Sequence, residues 1–202
     1  MISVSTVTSC LSSANSQLML LALRLLALVA ALIPAPPALS AAPPQVGQEA
    51  PDFRLDSLAG TSVRFADVAK RGPTILLVLR GYPGYQCPIC NRQVRDFLTK
   101  AKLFAEAGAQ VVMVYPGPAD RLSERAAEFT AEKSFPGNFH FLLDPGYSFT
   151  NLYSLRWNEP KETAYPSTFV VGPDRKVKFA KISTAHGGRT TPEEVLAVLG
   201  VH

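Results

Sequence analysis

Two short stretches in which nearly every side chain is apolar constrain this chain more than any other feature: Thr74–Arg80 (TILLVLR) and Gln110–Tyr115 (QVVMVY). A strand that is apolar on both faces must be covered on both faces, the condition of an interior strand in a parallel sheet. Between the two runs, Cys90, Val94, Phe97, Ala101 and Phe104 recur at spacings of 4, 3, 4 and 3 from a start near Pro88, and Gly108 supplies a stop. That is the period of a helix with one buried face. Strand, helix and strand in this order predict a βαβ unit.

The remaining elements fit around it. Phe53–Asp56 and Ser62–Phe65, separated by Ala59-Gly60, predict a short hairpin. Pro118 is expected to open a helix whose Leu122, Ala126 and Phe129 share one face. Phe139–Leu143 (FHFLL) predicts a strand, and Asp144-Pro145-Gly146 leads into a short helix through Phe149, Leu152 and Tyr153. Thr168–Val171 and Val177–Ala180 flank the turn Gly172-Pro173-Asp174-Arg175 and predict a second hairpin. Thr191 as cap, Pro192 at the first helical position and Glu193 and Glu194 in the first turn start a last helix ending at Gly200. The sum is α/β: a mixed sheet with helices on both faces, in one domain from 46 to 202 without internal repeat.

Charge is distributed unevenly. The chain carries 20 basic and 16 acidic residues, yet before Glu49 the only charged residue is Arg24. Leu18–Ile33 is apolar apart from Arg24, and its unbroken core Leu25–Ile33 has the length of a signal-peptide hydrophobic region, short of the ~18 residues of a membrane span. Prolines at 34, 36 and 37 follow, then Ser40-Ala41-Ala42, small residues suited to a signal peptidase. Residues 1–42 are therefore expected to be a signal peptide, with an uncleaved membrane anchor as the alternative. The mature protein is expected to be periplasmic or secreted. The remainder has no basic block, which argues against a nucleic-acid-binding surface.

Cys10 precedes the apolar run and leaves with the signal, so the mature chain holds one pair, Cys87 and Cys90. A disulfide three positions apart closes a tiny loop and constrains little chain entropy, so a structural role is poor value. Position favours reactivity instead. Thr74–Arg80 feeds the loop Gly81–Gln86, and Pro88 suits the first helical turn, which sets Cys87 near the N-cap and Cys90 one turn in. Free backbone N–H groups and the positive end of the helix dipole favour a thiolate there. Cys87 is expected as the exposed nucleophile and Cys90 as its buried partner. Zinc would need two more ligands, and His140, His186 and His202 are scattered without paired spacing, so neither metal nor other cofactor is expected.

This order of elements resembles the thioredoxin-like fold, and the chain from Val46 resembles its redoxin branch, the peroxiredoxins of the alkyl hydroperoxide reductase and thiol-specific antioxidant type. Val46–Phe53 (VGQEAPDF) is similar to their opening, and Leu142-Leu143-Asp144-Pro145 to the segment before their short helix. Peroxiredoxins carry a proline, a threonine four residues later and the peroxide-attacking cysteine three beyond that. Pro83, Cys87 and Cys90 occupy that frame, with cysteine in place of threonine. The resemblance implies Cys90 as the attacking thiol and Cys87 as the resolving one. The family also uses an arginine near the strand after the short helix, where this chain has Pro166; Arg80, Arg92 and Arg156 are the candidate substitutes. A second signature overlaps the first. Thioredoxin-like oxidoreductases place a cis-proline opposite their CxxC, and Tyr165–Val170 (YPSTFV) resembles that segment. This implies a cis bond at Pro166 and a substrate strand paired against Tyr165 and Pro166.

The leading expectation is a thiol–disulfide oxidoreductase acting on protein disulfides or with a thioredoxin-type reductant. The alternatives are a hydroperoxide reductase and, of a different class, a copper-binding module without catalysis. Tyr82, Pro83, Tyr85 and Trp157 are candidate walls of the groove around the sulfurs. His186-Gly187-Gly188-Arg189 reads as a solvent loop, His140 as a core-edge residue, and Lys176, Lys178 and Lys181 as the wet face of a half-buried strand.

Overall fold

The computed structural model describes residues 42–201. Cys10, Leu18–Ile33 and the expected cleavage region through Ala41 lie outside the described residues.

The two apolar runs are β3 (Thr74–Val78) and β4 (Gln110–Gly117), parallel neighbours that pair Thr74 with Gln110 through to Val78 with Val114. β5 (Phe139–Pro145) extends the parallel set beyond β4. On the far side of β3, β6 (Ser167–Val171) runs antiparallel and pairs with β7 (Val177–Ile182). β1 (Arg54–Ser57) and β2 (Ser62–Arg64) close the other edge, both pairings antiparallel. The sheet order is β2-β1-β5-β4-β3-β6-β7, the expected mixed sheet.

All of Thr74–Arg80 is buried, and alternate residues feed two different cores. Ile75, Leu77 and Leu79 face Cys90, Val94 and Phe97 of α2 (Pro88–Thr99). Leu76 and Val78 face Phe53, Phe65, Phe149, Tyr153 and Phe169. Each core surrounds β3 with aromatic rings, and burying one such ring contributes roughly 1.5–3 kcal/mol. The sheet is therefore fixed tightly at the end where β3 delivers the chain to α2.

Three expectations need correction. The helix after the dithiol is two helices, α2 and α3 (Ala101–Glu106), divided at Lys100, whose φ of −103° and ψ of 9° leave the helical region. The break keeps Phe97 and Phe104 stacked in one core with ring centroids 5.6 Å apart. Pro118 does not open a helix. β4 runs two residues further than expected, so the chain must reverse through Arg121, at a φ of 57°, before α4 (Leu122–Thr130) begins; Leu122, Ala126 and Phe129 then bury one face as the spacing requires. Phe65 leaves the hairpin to start α1 (Phe65–Ala69), a single turn too short to show a period. Asp52 holds that turn, accepting from the Ala66 N–H at 2.9 Å and from Arg64 Nε at 2.6 Å.

The last two helices are as expected in kind. α5 (Ser148–Leu152) buries Phe149 and leaves Leu152 exposed. α6 (Pro192–Val198) starts with a full capping box: the Thr191 hydroxyl accepts from Glu194 N, and Glu194 accepts from Thr191 N.

Candidate active site

β3 ends in Leu79-Arg80, and the chain must then turn sharply over β4 to reach α2. Gly81 makes that turn at a φ of 72°, and a side chain there would overlap the Pro116 carbonyl. Tyr82 N donates to that same carbonyl at 3.0 Å, which pins the loop. Gln86 completes the approach, accepting from the Tyr115 hydroxyl at 2.8 Å and donating to the Arg125 carbonyl. The loop therefore delivers Cys87 to the helix start in one defined place.

Cys87 is the N-cap of α2 and Pro88 its first residue, as the spacing requires. Cys90 N donates to Cys87 Sγ at 3.4 Å, so a helix-start N–H that would lack a partner is given to the sulfur. Both thiols are free. The Cys87 sulfur is expected to be exposed, and here the structure corrects the expectation: Cys87 is only 2% exposed and Cys90 fully buried, because the inward side of α2 packs against β3.

Their acidities diverge. Cys87 is pulled down to about 5: the Cys90 thiol donates to it, burial opposes, and the Cys90 N–H, the Arg189 charge and Arg80 reinforce ionisation. Cys90 is pushed up, chiefly by burial and further by its hydrogen bond to Cys87. The surroundings thus favour the thiolate on Cys87 and the proton on Cys90, where the peroxiredoxin frame implies Cys90 as the attacking thiol.

The cation is the residue sequence reasoning missed. Arg189 Nη1 lies 3.2 Å from Cys90 Sγ and Nη2 lies 3.8 Å from Cys87 Sγ, so one guanidinium spans both sulfurs. Its segment is an exposed loop before the last helix, as expected, but one held in a defined shape. Ser183 N donates to the Pro166 carbonyl, the Ser183 hydroxyl sits between the Ala185 and Gly187 carbonyls, and Gly188 turns the chain at a φ of 67°. Arg189 Nε then donates to the His186 carbonyl at 2.9 Å. Gln93, one turn beyond Cys90, holds the other side: its Oε1 accepts from Arg189 Nη1 at 3.1 Å and its Nε2 donates to the Thr190 carbonyl at 3.2 Å. The capping box of α6 fixes the chain immediately afterwards. Gln93 lies three residues after Cys90 on the same helix face, a signal the sequence carried.

Of the candidate substitutes, Arg80 is buried beside Cys87 but committed elsewhere. It binds Glu162 through two parallel bonds of 2.5 and 2.8 Å, the Lys161 carbonyl at 2.8 Å and the Tyr85 hydroxyl at 2.5 Å. Glu162 also meets His186 Nε2 at 2.8 Å. Burial opposes ionisation of Glu162, yet bonds from Arg80 and His186 outweigh it and hold the carboxyl below its usual range. Arg156 is spent on the Glu162 and Thr163 carbonyls and on the Tyr147 ring at 4.0 Å, and Arg92 is exposed on α2.

The cis-proline expectation fails: no described peptide bond is cis. Pro166 is an ordinary strand start whose carbonyl continues the ladder to Ser183, and Tyr165 N is already used by the Leu155 carbonyl at 2.9 Å. The backbone groups a substrate strand would need are paired within the fold. Tyr165 instead stacks on Trp157 at 4.8 Å, and Trp157 lies 5.3 Å from the His186 ring, forming an aromatic wall. Tyr82 is half-buried under Arg125, Pro83 is half-buried beside it, and Tyr85 is 45% exposed at the rim. Among the described residues, no three His, Cys, Asp or Glu side chains gather in a metal-binding cluster.

The AhpC/TSA family model matches residues 46–180, 135 of the 202 residues. The 1-Cys peroxiredoxin PER1 of Triticum aestivum is 28% identical over 160 residues, covering 76% of this chain and 71% of that protein. Among solved structures, peroxidoxin BcpB of Mycobacterium tuberculosis shares the fold at a TM-score of 0.60 and 24% identity, covering 78% of this chain and 97% of its own. A Chlorobium tepidum protein assigned as the thiol:disulfide interchange protein DsbE shares it at a TM-score of 0.56 and 23% identity, covering 78% of this chain and 99% of its own.

Proposed function

The chain belongs to the AhpC/TSA family and is a thiol-based oxidoreductase, and from that premise we propose that it reduces hydroperoxides, with Cys87 as attacking thiolate and Cys90 as resolving thiol. The observation that carries this reading is a sulfur at 2% exposure with the Arg189 guanidinium 3.8 Å away, surroundings that favour its thiolate. A peroxide needs an opening of a few atoms, whereas a protein disulfide needs an accessible sulfur and a free backbone edge, and Tyr165 offers none.

In the cycle, Cys87 Sγ attacks the terminal peroxide oxygen, the O–O bond breaks, and the departing alkoxide takes a proton from solvent. Cys87 becomes a sulfenic acid. Cys90 Sγ then attacks Cys87 Sγ, the S–O bond breaks, and hydroxide leaves as water with the proton that Cys90 gave up. A thioredoxin-type dithiol reduces the resulting disulfide by exchange.

Direct exchange with a partner disulfide is the second reading. It is supported by the Cys87 N-cap position and its lowered pKa, the arrangement that makes a CxxC thiolate a good leaving group and keeps it ionised for attack. In it, too, Cys87 attacks and Cys90 resolves. Export to the periplasm or beyond belongs to the same proposal, supported by the apolar segment before residue 42 and its small-residue boundary; amino-terminal sequencing of the mature protein from fractionated cells tests it.

Stopped-flow peroxide consumption separates the readings. The wild type is expected to turn over, Cys87→Ser to be inert, and Cys90→Ser to consume one equivalent and stop. Retained peroxide reactivity in Cys87→Ser, with loss in Cys90→Ser, would reverse the two roles. If neither thiol outruns free cysteine while insulin-type disulfides are reduced through Cys87, exchange is the main activity.

A further inference from the structure

The site as described contains a difficulty for its own second step. A resolving thiol must ionise to attack, yet Cys90 is fully buried and holds its proton more tightly than an ordinary cysteine while Cys87 is a thiolate. A second anion at that depth would lack solvation by water. The described groups that face it are few: Arg189 from the loop after β7, Cys87 across the helix turn and Tyr115 from β4, with Gln93 as a neutral neighbour on α2. Of these only Arg189 is cationic.

Resting on the Cys87-first reading above, we propose that Arg189 is a catalytic residue of the resolving step, its Nη1 stabilising the Cys90 thiolate once Cys87 has been oxidised. The geometry is already in place. Nη1 is closer to Cys90, at 3.2 Å, than Nη2 is to Cys87, at 3.8 Å. In the resting enzyme the positive charge serves the Cys87 thiolate. When Cys87 becomes a neutral sulfenic acid, or a neutral mixed disulfide in the exchange reading, no anion remains at that sulfur and the guanidinium has one partner left to ionise. Cys90 loses its proton, S–S forms, and hydroxide or the partner thiolate leaves and takes that proton up. The charge thus moves from one sulfur to the other without moving the arginine, because Gln93 and the His186 carbonyl hold it between them.

An adjacent opposite charge favours the ionised form by roughly tenfold to a thousandfold in population. Arg189→Met is therefore expected to slow resolution at least about tenfold, so that the Cys87 sulfenic acid accumulates and is trapped by dimedone as it is in Cys90→Ser. Arg189→Lys, which keeps the charge and loses the fork, is expected to fall between. A sulfenic acid or mixed disulfide that forms in Arg189→Met and decays at the wild-type rate would overturn the proposal while leaving the Cys87 assignment intact. Reactivity persisting in Cys87→Ser would overturn the assignment itself. A second measurement needs no turnover: in a Cys87→Ser background, where the neighbouring sulfur is gone, the ultraviolet thiolate titration of Cys90 is expected to shift to higher pH when Arg189 becomes Met. An unmoved midpoint would also refute the proposal.

Discussion

Arg80 and Arg189 approach the same pair of sulfurs from different parts of the sheet, and their difference explains which is structural and which is chemical. Arg80, at the end of β3, is buried, and its guanidinium is committed to Glu162, Tyr85 and the Lys161 carbonyl. Arg189, in the loop after β7, has one carbonyl and one neutral amide as fixed partners and turns the rest of its fork toward sulfur. A buried cation whose charge is neutralised bidentately by a carboxylate cannot follow a reaction without breaking that pair. A cation held by neutral groups keeps its charge available for an anion that appears and disappears.

Substitutions break this comparison in a definite order. Cys87→Ser is expected to abolish turnover altogether, measured as steady-state peroxide consumption. Glu162→Ala should leave Arg80 as an uncompensated buried charge and lower unfolding free energy by about 3–5 kcal/mol, read from denaturant midpoints. Arg189→Met, which strands no carboxylate, should cost far less stability while slowing the chemistry; an Arg189→Met protein as destabilised as Glu162→Ala would erase the distinction. Thr191→Ala removes the α6 cap and should cost about 1 kcal/mol, with a modest slowing of resolution because the chain that carries Arg189 loosens. Stability of the reduced protein should also depend on pH through Cys87. Its folded pKa, pulled down to about 5, lies below the ordinary thiol value of 9.0, so its contribution grows as pH rises from about 5 to 9.0 and is lost as pH falls back through about 5; the trend should vanish in Cys87→Ser.

What the sequence made legible was local. TILLVLR and QVVMVY reported their burial on two faces, and the proline after Cys87 reported the helix start. Those signals gave the sheet centre and the dithiol. The features that escaped notice depend on residues distant in the chain. Arg189 meets sulfur 99 positions away from Cys90 and 102 from Cys87, and a Gly-Gly turn next to it looks like any exposed loop until Ser183 and Gln93 are seen to hold it. The trans geometry at Pro166 is hidden for the opposite reason: the local segment strongly resembles a cis-proline segment, yet no described bond is cis and the Tyr165 N–H is paired with the Leu155 carbonyl. The burial of Cys87 is not legible because helix-start geometry says how a sulfur ionises and nothing about what covers it.

Every step above begins from Cys87 as the resting thiolate. Ultraviolet titration of the reduced wild type and the two single serine variants tests it most directly. One thiolate is expected with a midpoint near 5, absent in Cys87→Ser and retained, at a higher midpoint, in Cys90→Ser, where the largest stabilising hydrogen bond is weakened. An acidic midpoint unchanged in Cys87→Ser and missing from Cys90→Ser would contradict it, and would make Cys90 the nucleophile.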